Sequence, residues 1–166
     1  MKLLPYSPEW KFLYKKEAEK IRIVIGDVVT DIQHIGSTAI PGIAAKPIID
    51  IAVMLSSLDK AKSLVEPLAG IGYKYDEPAS SPERYFFRKR DPAQYHLSLT
   101  APNVGFWKRQ ILFRDYLTNH PSLAKEYEKL KLDMIEKDPT GGKEYLHAKA
   151  PFVQRILELA KKDLKS

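Results

Sequence analysis

From Ile48 to Leu55 every residue except Asp50 is apolar: Ile48, Ile49, Ile51, Ala52, Val53, Met54 and Leu55. A run this short, and this rich in β-branched side chains, reads as a strand. Its lack of polar alternation suits a central strand covered on both faces, so the rest of the chain must supply packing layers. A length of 166 residues with 44% hydrophobic content is enough to build them within one domain, 1–166.

The flanking sequence offers those layers. Ser7 can cap a helix, Pro8 suits its first position, and Glu9 complements its dipole. Trp10, Leu13, Tyr14, Ala18, Ile21 and Ile25 then recur at helical spacing, with Gly26 as the stop. Val28 to Ile35 reads as a strand ending at Gly36-Ser37. Leu58, Ala61, Leu64, Val65 and Leu68 predict a helix closed by Gly70 and Gly72. Tyr73 to Tyr75, Tyr85 to Lys89 and Tyr95 to Thr100 are short strands between turns. Three further helices follow, marked by Trp107, Ile111 and Leu112, by Leu123, Tyr127, Leu130 and Met134, and by Phe152, Val153, Ile156, Leu157 and Ala160. Strands early and helices late predict an α/β (α+β) fold, a sheet packed with helices and a C-terminal helical layer.

The chemistry is concentrated between His34 and Asp50. Glycine at 36 lets backbone approach a ligand, and the hydroxyls of Ser37 and Thr38 can donate to phosphate oxygens. Lys46 can add positive charge. A carboxylate inside so apolar a strand is costly unless it is paired, hydrogen-bonded or metal-bound, which singles out Asp50. His34 and His96, on neighbouring strands, are candidate partners for it. Arg84 and Arg88 lie by the strand next to the site and are the better cationic candidates, with Arg114 a weaker one. Each has a structural alternative. Asp50 could pair with Lys46 or Arg88, Arg114 could pair with Asp115, and surface solvation is the favoured reading for Lys131 and Lys149.

The absence of Cys excludes disulfides, thiolate metal sites and cysteine nucleophiles. No apolar run reaches transmembrane length and the first residues lack a signal-peptide core, so a cytoplasmic protein without a membrane partner is expected. The net charge of +6 favours anionic ligands, yet the basic residues are dispersed and no RNA-binding signature accompanies them. Nucleic acid ranks last among the expected partners.

The Gly-Ser turn followed by a strand carboxylate resembles the nucleotidyltransferase fold, whose signature continues as Asp-x-Asp with a third carboxylate from a later strand. Those carboxylates hold divalent metal ions that bridge nucleotide phosphates. Here Asp50 matches the first, Ala52 stands at the second, and His96 or Ser98 lies where the third belongs. A single Asp with one or two imidazoles could hold one ion, and Mg, Mn or Zn are the candidates. His34-Ile35-Gly36-Ser37-Thr38, Pro41-Gly42, Ala45-Lys46-Pro47 and Ile49-Asp50-Ile51 together resemble the GrpB family. So do Tyr6 and Trp10, Phe113 to Leu117 with His120-Pro121, Tyr127 with Leu130-Lys131, and Lys149 with Phe152. The resemblance implies a nucleotidyltransferase-like mixed sheet and a nucleotide or other phosphorylated small molecule as ligand. It also implies a dephospho-CoA kinase, or another protein, as a partner. Metal-dependent nucleotidyl or phosphoryl transfer through Asp50 is the reaction expected of an enzyme; a catalytically degenerate sensing or docking module is the alternative.

Overall fold

The computed structural model describes residues 2–165. The chain runs through α1 (Glu9–Ile25), β1 (Val29–Ile35), β2 (Ile49–Leu55), α2 (Val65–Ala69), β3 (Tyr73–Tyr75), β4 (Tyr85–Lys89) and β5 (Tyr95–Thr100). It ends in α3 (Phe106–Asn119), α4 (Pro121–Lys137) and α5 (Lys143–Leu164). The sheet has the order β1-β2-β5-β4-β3. Only β2 and β5 pair in parallel; the other neighbours are antiparallel.

Strand alternation divides the sheet's residues between two environments. Ile49, Ile51, Val53 and Leu55 join Leu97, Leu99 and Phe87 in the main core, against Trp10, Ala18, Ile21 and Ile25 of α1. On the reverse face Ala52 and Ile35 meet Phe106 of α3, while Asp50 and Met54 stay partly exposed. The apolar run is thus fully covered on one side. On the other, Asp50 reaches a cleft, Ala52 is covered by Phe106 and Met54 stays partly exposed. Beyond the cleft Ile40 and Ile43 pack with Leu117, Ala124, Tyr127, Phe152 and Ile156, so the 36–48 loop and the three C-terminal helices share one cluster.

Two local features refine the sequence reading. Ser7 does accept from the Glu9 amide at 3.2 Å, although Pro8 stands at the cap position itself. The helix expected from Leu58 is instead a 3-10 segment over Leu58–Leu64 followed by the five residues of α2. Pro67 lacks the amide that an α-helix would bond back to Ser63, which removes one rung of the expected helix.

A polar tie crosses the main core. Glu17 of α1 is 2% exposed and accepts from the Tyr73 hydroxyl at 2.9 Å and the Lys89 ammonium at 2.6 Å. Burial and the adjacent Glu17 carboxylate hold the Tyr73 hydroxyl protonated far above its ordinary range. Among the described residues no helix is long and apolar enough to cross a membrane.

Candidate functional site

The cleft floor begins where β1 ends. Gly36 has φ 75° and ψ −173°, a conformation open almost only to glycine. A Cβ placed there would lie 2.4 Å from Asp50 Oδ2, so this glycine also lets the turn lie against the carboxylate. Ser37 opens the following turn and lines the cleft; among the described residues its hydroxyl has no protein partner.

Register brings Asp50 beside His96, its partner across the parallel β2–β5 pair. His96 Nδ1 lies 3.2 Å from Asp50 Oδ1, and His96 Nε2 lies 3.1 Å from Arg88 Nη1. A guanidinium can only donate, so Nε2 accepts and Nδ1 carries the proton it gives to Asp50. Arg88 is anchored in turn on Asp76, its Nε donating at 2.7 Å, which holds the Asp76 carboxyl below its usual range. A continuous relay therefore runs Asp76–Arg88–His96–Asp50. Arg84 donates to Ser98 Oγ at 3.1 Å, with its guanidinium 4.4 Å from the Phe86 ring centroid and 5.3 Å from that of Phe106.

Three of the residues chosen from the sequence lie elsewhere or are already engaged. His34 pairs with Ile51, not Asp50, so its ring projects to the α1 face and stacks on Tyr14 at 4.8 Å. Burial lowers its pKa to about 4 and keeps it neutral. Thr38 is buried; its hydroxyl lies 2.9 Å from His34 Nε2 and 3.4 Å from the Ile48 carbonyl, and these two neighbours engage its one proton. It has no proton left for a phosphate. Arg114 donates to Gln33 Oε1 at 2.8 Å, to the His34 carbonyl at 2.9 Å and to Asp115 at 2.8 Å. It locks α3 onto β1, and its side chain does not line the cleft.

The cleft has two lobes that share Ser37, Asp50, Arg84, Leu146 and Lys149. One, about 450 Å³, is lined by Lys46, Arg84, Arg88, Lys131 and Lys149, with Asp50 as its sole carboxylate. The other, about 570 Å³, lies between the sheet and α3 and α5 and is lined by Phe106, Phe113, Tyr127, Val153 and Leu157, with Arg109, Gln110 and Gln154 among its polar groups. Lys131 and Lys149, for which the sequence favours surface solvation, instead face the site. Their signal lay in the helical stripes: Lys131 follows Ala124 and Tyr127 on the inward face of α4, and Lys149 falls between Tyr145 and Phe152 on that of α5.

Lys131 is 2% exposed and donates to the Ala44 carbonyl at 3.0 Å. Burial first, then the neighbouring ammonium groups of Lys149 and Lys46, lower its pKa to about 7 against the partial compensation of Glu128. Glu128 is itself engaged by the Ala44 amide and by Lys125. The linkage has a definite sign. Between pH 7 and the ordinary lysine value of 10.5 the unfolded chain holds a proton that folded Lys131 has released. This residue's penalty on stability is therefore complete below pH 7 and is relieved as pH rises. Melting temperatures measured from pH 6 to 10 should show Lys131→Met stabilised over wild type at pH 6, with the gap closing toward pH 10.

The carboxylates of the nucleotidyltransferase signature can be tested against this donor set. Ala52 is 0% exposed and offers a methyl group where the second would stand. Ser98, across from Ala52, already accepts from Arg84, and both nitrogens of His96 are committed. Among the described residues no group of three or more His, Cys, Asp or Glu side chains is placed to hold a metal ion. Asp50 alone remains, and these residues do not fit a two-metal centre.

A Gly-Ser turn and a carboxylate-bearing strand in a five-stranded mixed sheet, backed by helices, define a nucleotidyltransferase-like fold. The structure is similar to that of the Cid1 poly(U) polymerase, with a TM-score of 0.56 over 84% of this chain and 45% of that one; at 12% identity the likeness carries the fold alone. Within that class the chain belongs to the GrpB family, which matches residues 1–159. The crystal structure of GrpB from Enterococcus faecalis superposes with a TM-score of 0.89 at 28% identity, covering 99% of this chain and 100% of that one. The glutamate-rich protein GrpB of Alkalihalophilus pseudofirmus is 39% identical over 93% of this chain and 92% of its own length. The YqkA protein of Bacillus subtilis is 31% identical, and there the match spans 98% of this chain but 48% of the relative. A dephospho-CoA kinase of Mycolicibacterium paratuberculosis is 30% identical over 92% of this chain and 44% of its length.

Proposed function

We propose that the cleft binds a nucleotide or a related phosphorylated small molecule. The observation that carries this reading is the charge imbalance of the smaller lobe, where Lys46, Arg84, Lys131 and Lys149, beside an Arg88 already paired with Asp76, face one lining carboxylate, Asp50. Crowded, half-buried cations are costly unless an anion compensates them. The adjoining aromatic lobe, with its two glutamines, suits the flat, hydrogen-bonding base of a nucleotide. Phosphates would then sit under Lys131 and Lys149 and near the free hydroxyl of Ser37.

The test is thermal shift and calorimetry with nucleoside triphosphates, pyrophosphate and dephospho-CoA, which joins an adenosine to a pyrophosphate. The kinase relative motivates that last probe, and a dephospho-CoA kinase is the protein partner to try in a binding assay. A probe at a hundred times its Kd should add about 2.7 kcal/mol of stability. Lys149→Met should remove most of that gain. No stabilisation by any probe would end the reading. Binding should also take up a proton, because an anion beside Lys131 restores the charge that burial suppresses. Affinity should fall as pH rises above about 7, and calorimetry in buffers of different ionisation enthalpy would measure the uptake.

Asp50 supports a second reading, in which the bound group is transferred to an acceptor hydroxyl. It is the one carboxylate in the cleft, and the His96 relay orients it. Turnover by wild type that persists unchanged in Asp50→Ala would remove Asp50 from such a reaction. The alkyl side chain of Ala52 favours a sensing or docking role without turnover.

A further inference from the structure

Arg84 is the residue whose surroundings ask for an explanation. Its side chain projects into both lobes of the cleft, yet among the described residues the guanidinium forms no salt bridge, and one neutral hydroxyl, that of Ser98, is its sole hydrogen-bond partner. A guanidinium has five N–H donors, so most of its capacity is unused. The rings of Phe86 and Phe106 flank it, fixing its plane and stripping water from its faces. The nearby charges that act on it are Asp50 and, more weakly, Asp76, which favour its protonated form, and Arg88, which opposes it. Asp50 Oδ1 is already occupied by His96 Nδ1.

Its position in the sheet gives the arrangement a meaning. Ser98 pairs with Ala52, the place of the second carboxylate, and Asp50 pairs with His96 one step along the same face. Where the fold class uses carboxylates to collect divalent cations, this chain has a methyl group, a hydroxyl and an imidazole with both nitrogens committed. Onto that hydroxyl it ties a cation of its own. We propose that Arg84 takes over the metal's electrostatic role, making the cleft an anion site that binds a di- or triphosphate without a divalent cation. The inference rests on the reading of the cleft as a phosphate-ligand site and adds how the phosphate charge is met. Arg84 would grip the phosphate through its free edge, in the forked geometry guanidinium groups use for such oxygens. The ammonium groups of Lys131 and Lys149 would meet the rest of the charge.

The experiment is calorimetric titration of the protein with ATP and with pyrophosphate, in EDTA and again in excess Mg²⁺ or Mn²⁺. Wild type should bind in EDTA, with an affinity equal to or better than that with the cation, since a chelated phosphate brings less charge to a cationic site. Arg84→Met should weaken binding in EDTA by about tenfold or more, and Arg84→Lys should fall between. Ala52→Asp, which adds a carboxylate beside the guanidinium without touching it, should also weaken metal-free binding. Melting curves of each variant establish that it is folded, and Arg84→Lys serves if Arg84→Met is not. Binding that appears only with the cation, or that is unaltered in both Arg84 variants, overturns this inference while leaving the phosphate-ligand reading intact. Absence of binding under every condition overturns both.

Discussion

Gly36→Ala should lower the melting temperature by roughly 5–10 °C and abolish ligand binding in the cleft. Two effects combine. An alanine at φ 75° and ψ −173° carries a backbone cost of about 1–3 kcal/mol, because only glycine occupies that region freely. Its Cβ would also lie 2.4 Å from Asp50 Oδ2, with Asp50 Cγ and Cβ at 3.1 and 3.2 Å, so rotating the carboxylate does not clear the overlap. The turn and Asp50 must separate, and the cleft floor opens. The double variant Gly36→Ala/Asp50→Ala distinguishes the two contributions. It should recover part of the lost stability by relieving the overlap, with the backbone cost remaining. A melting temperature within a degree of wild type for Gly36→Ala would show that the floor is not built this way.

The other large effect lies across the sheet. Glu17→Ala should cost about 3–5 kcal/mol, the usual penalty for leaving one partner of a buried ion pair alone. Lys89, whose side chain is 12% exposed, and the Tyr73 hydroxyl would both lose their acceptor. The triple variant Glu17→Leu/Tyr73→Phe/Lys89→Met should regain most of that loss, since a packed apolar cluster of similar volume does without the desolvation cost. Denaturant unfolding would measure both. A cost below about 1 kcal/mol for Glu17→Ala would mean that solvent reaches this tie and screens it.

Much of this architecture is legible in the sequence because it follows from periodicity. The alternation along Tyr95 to Thr100 places Leu97 and Leu99 in the core and turns His96 and Ser98 to the cleft face, as the structure has it. His34 illustrates the limit. Whether residue 34 or 35 shares a face with Asp50 depends on the register of an antiparallel pair, which the loop between the strands sets, and that loop carries no periodic signal. Thr38 and Arg114 are engaged within the protein for a different reason. Their chemistry suits phosphate, but partners distant in the chain, Ile48 and Gln33, use it first. Lys131 and Lys149 were readable in principle. A lysine on the apolar stripe of a helix either snorkels or marks a lined cavity, and the stripe alone does not say which.

The parallel pairing of β2 with β5 also bears on the order of assembly. Asp50 and His96 are separated by 46 residues, Arg114 and Gln33 by 81, Lys131 and Ala44 by 87. Contacts this far apart in the chain close long loops, and folds built on them form slowly. The cleft is expected to consolidate late in folding, and stopped-flow kinetics of Asp50→Ala would test this by showing a change confined to the unfolding rate. A ligand that grips it stabilises contacts absent from the folding transition state, so it should leave the folding rate nearly untouched and act by slowing unfolding.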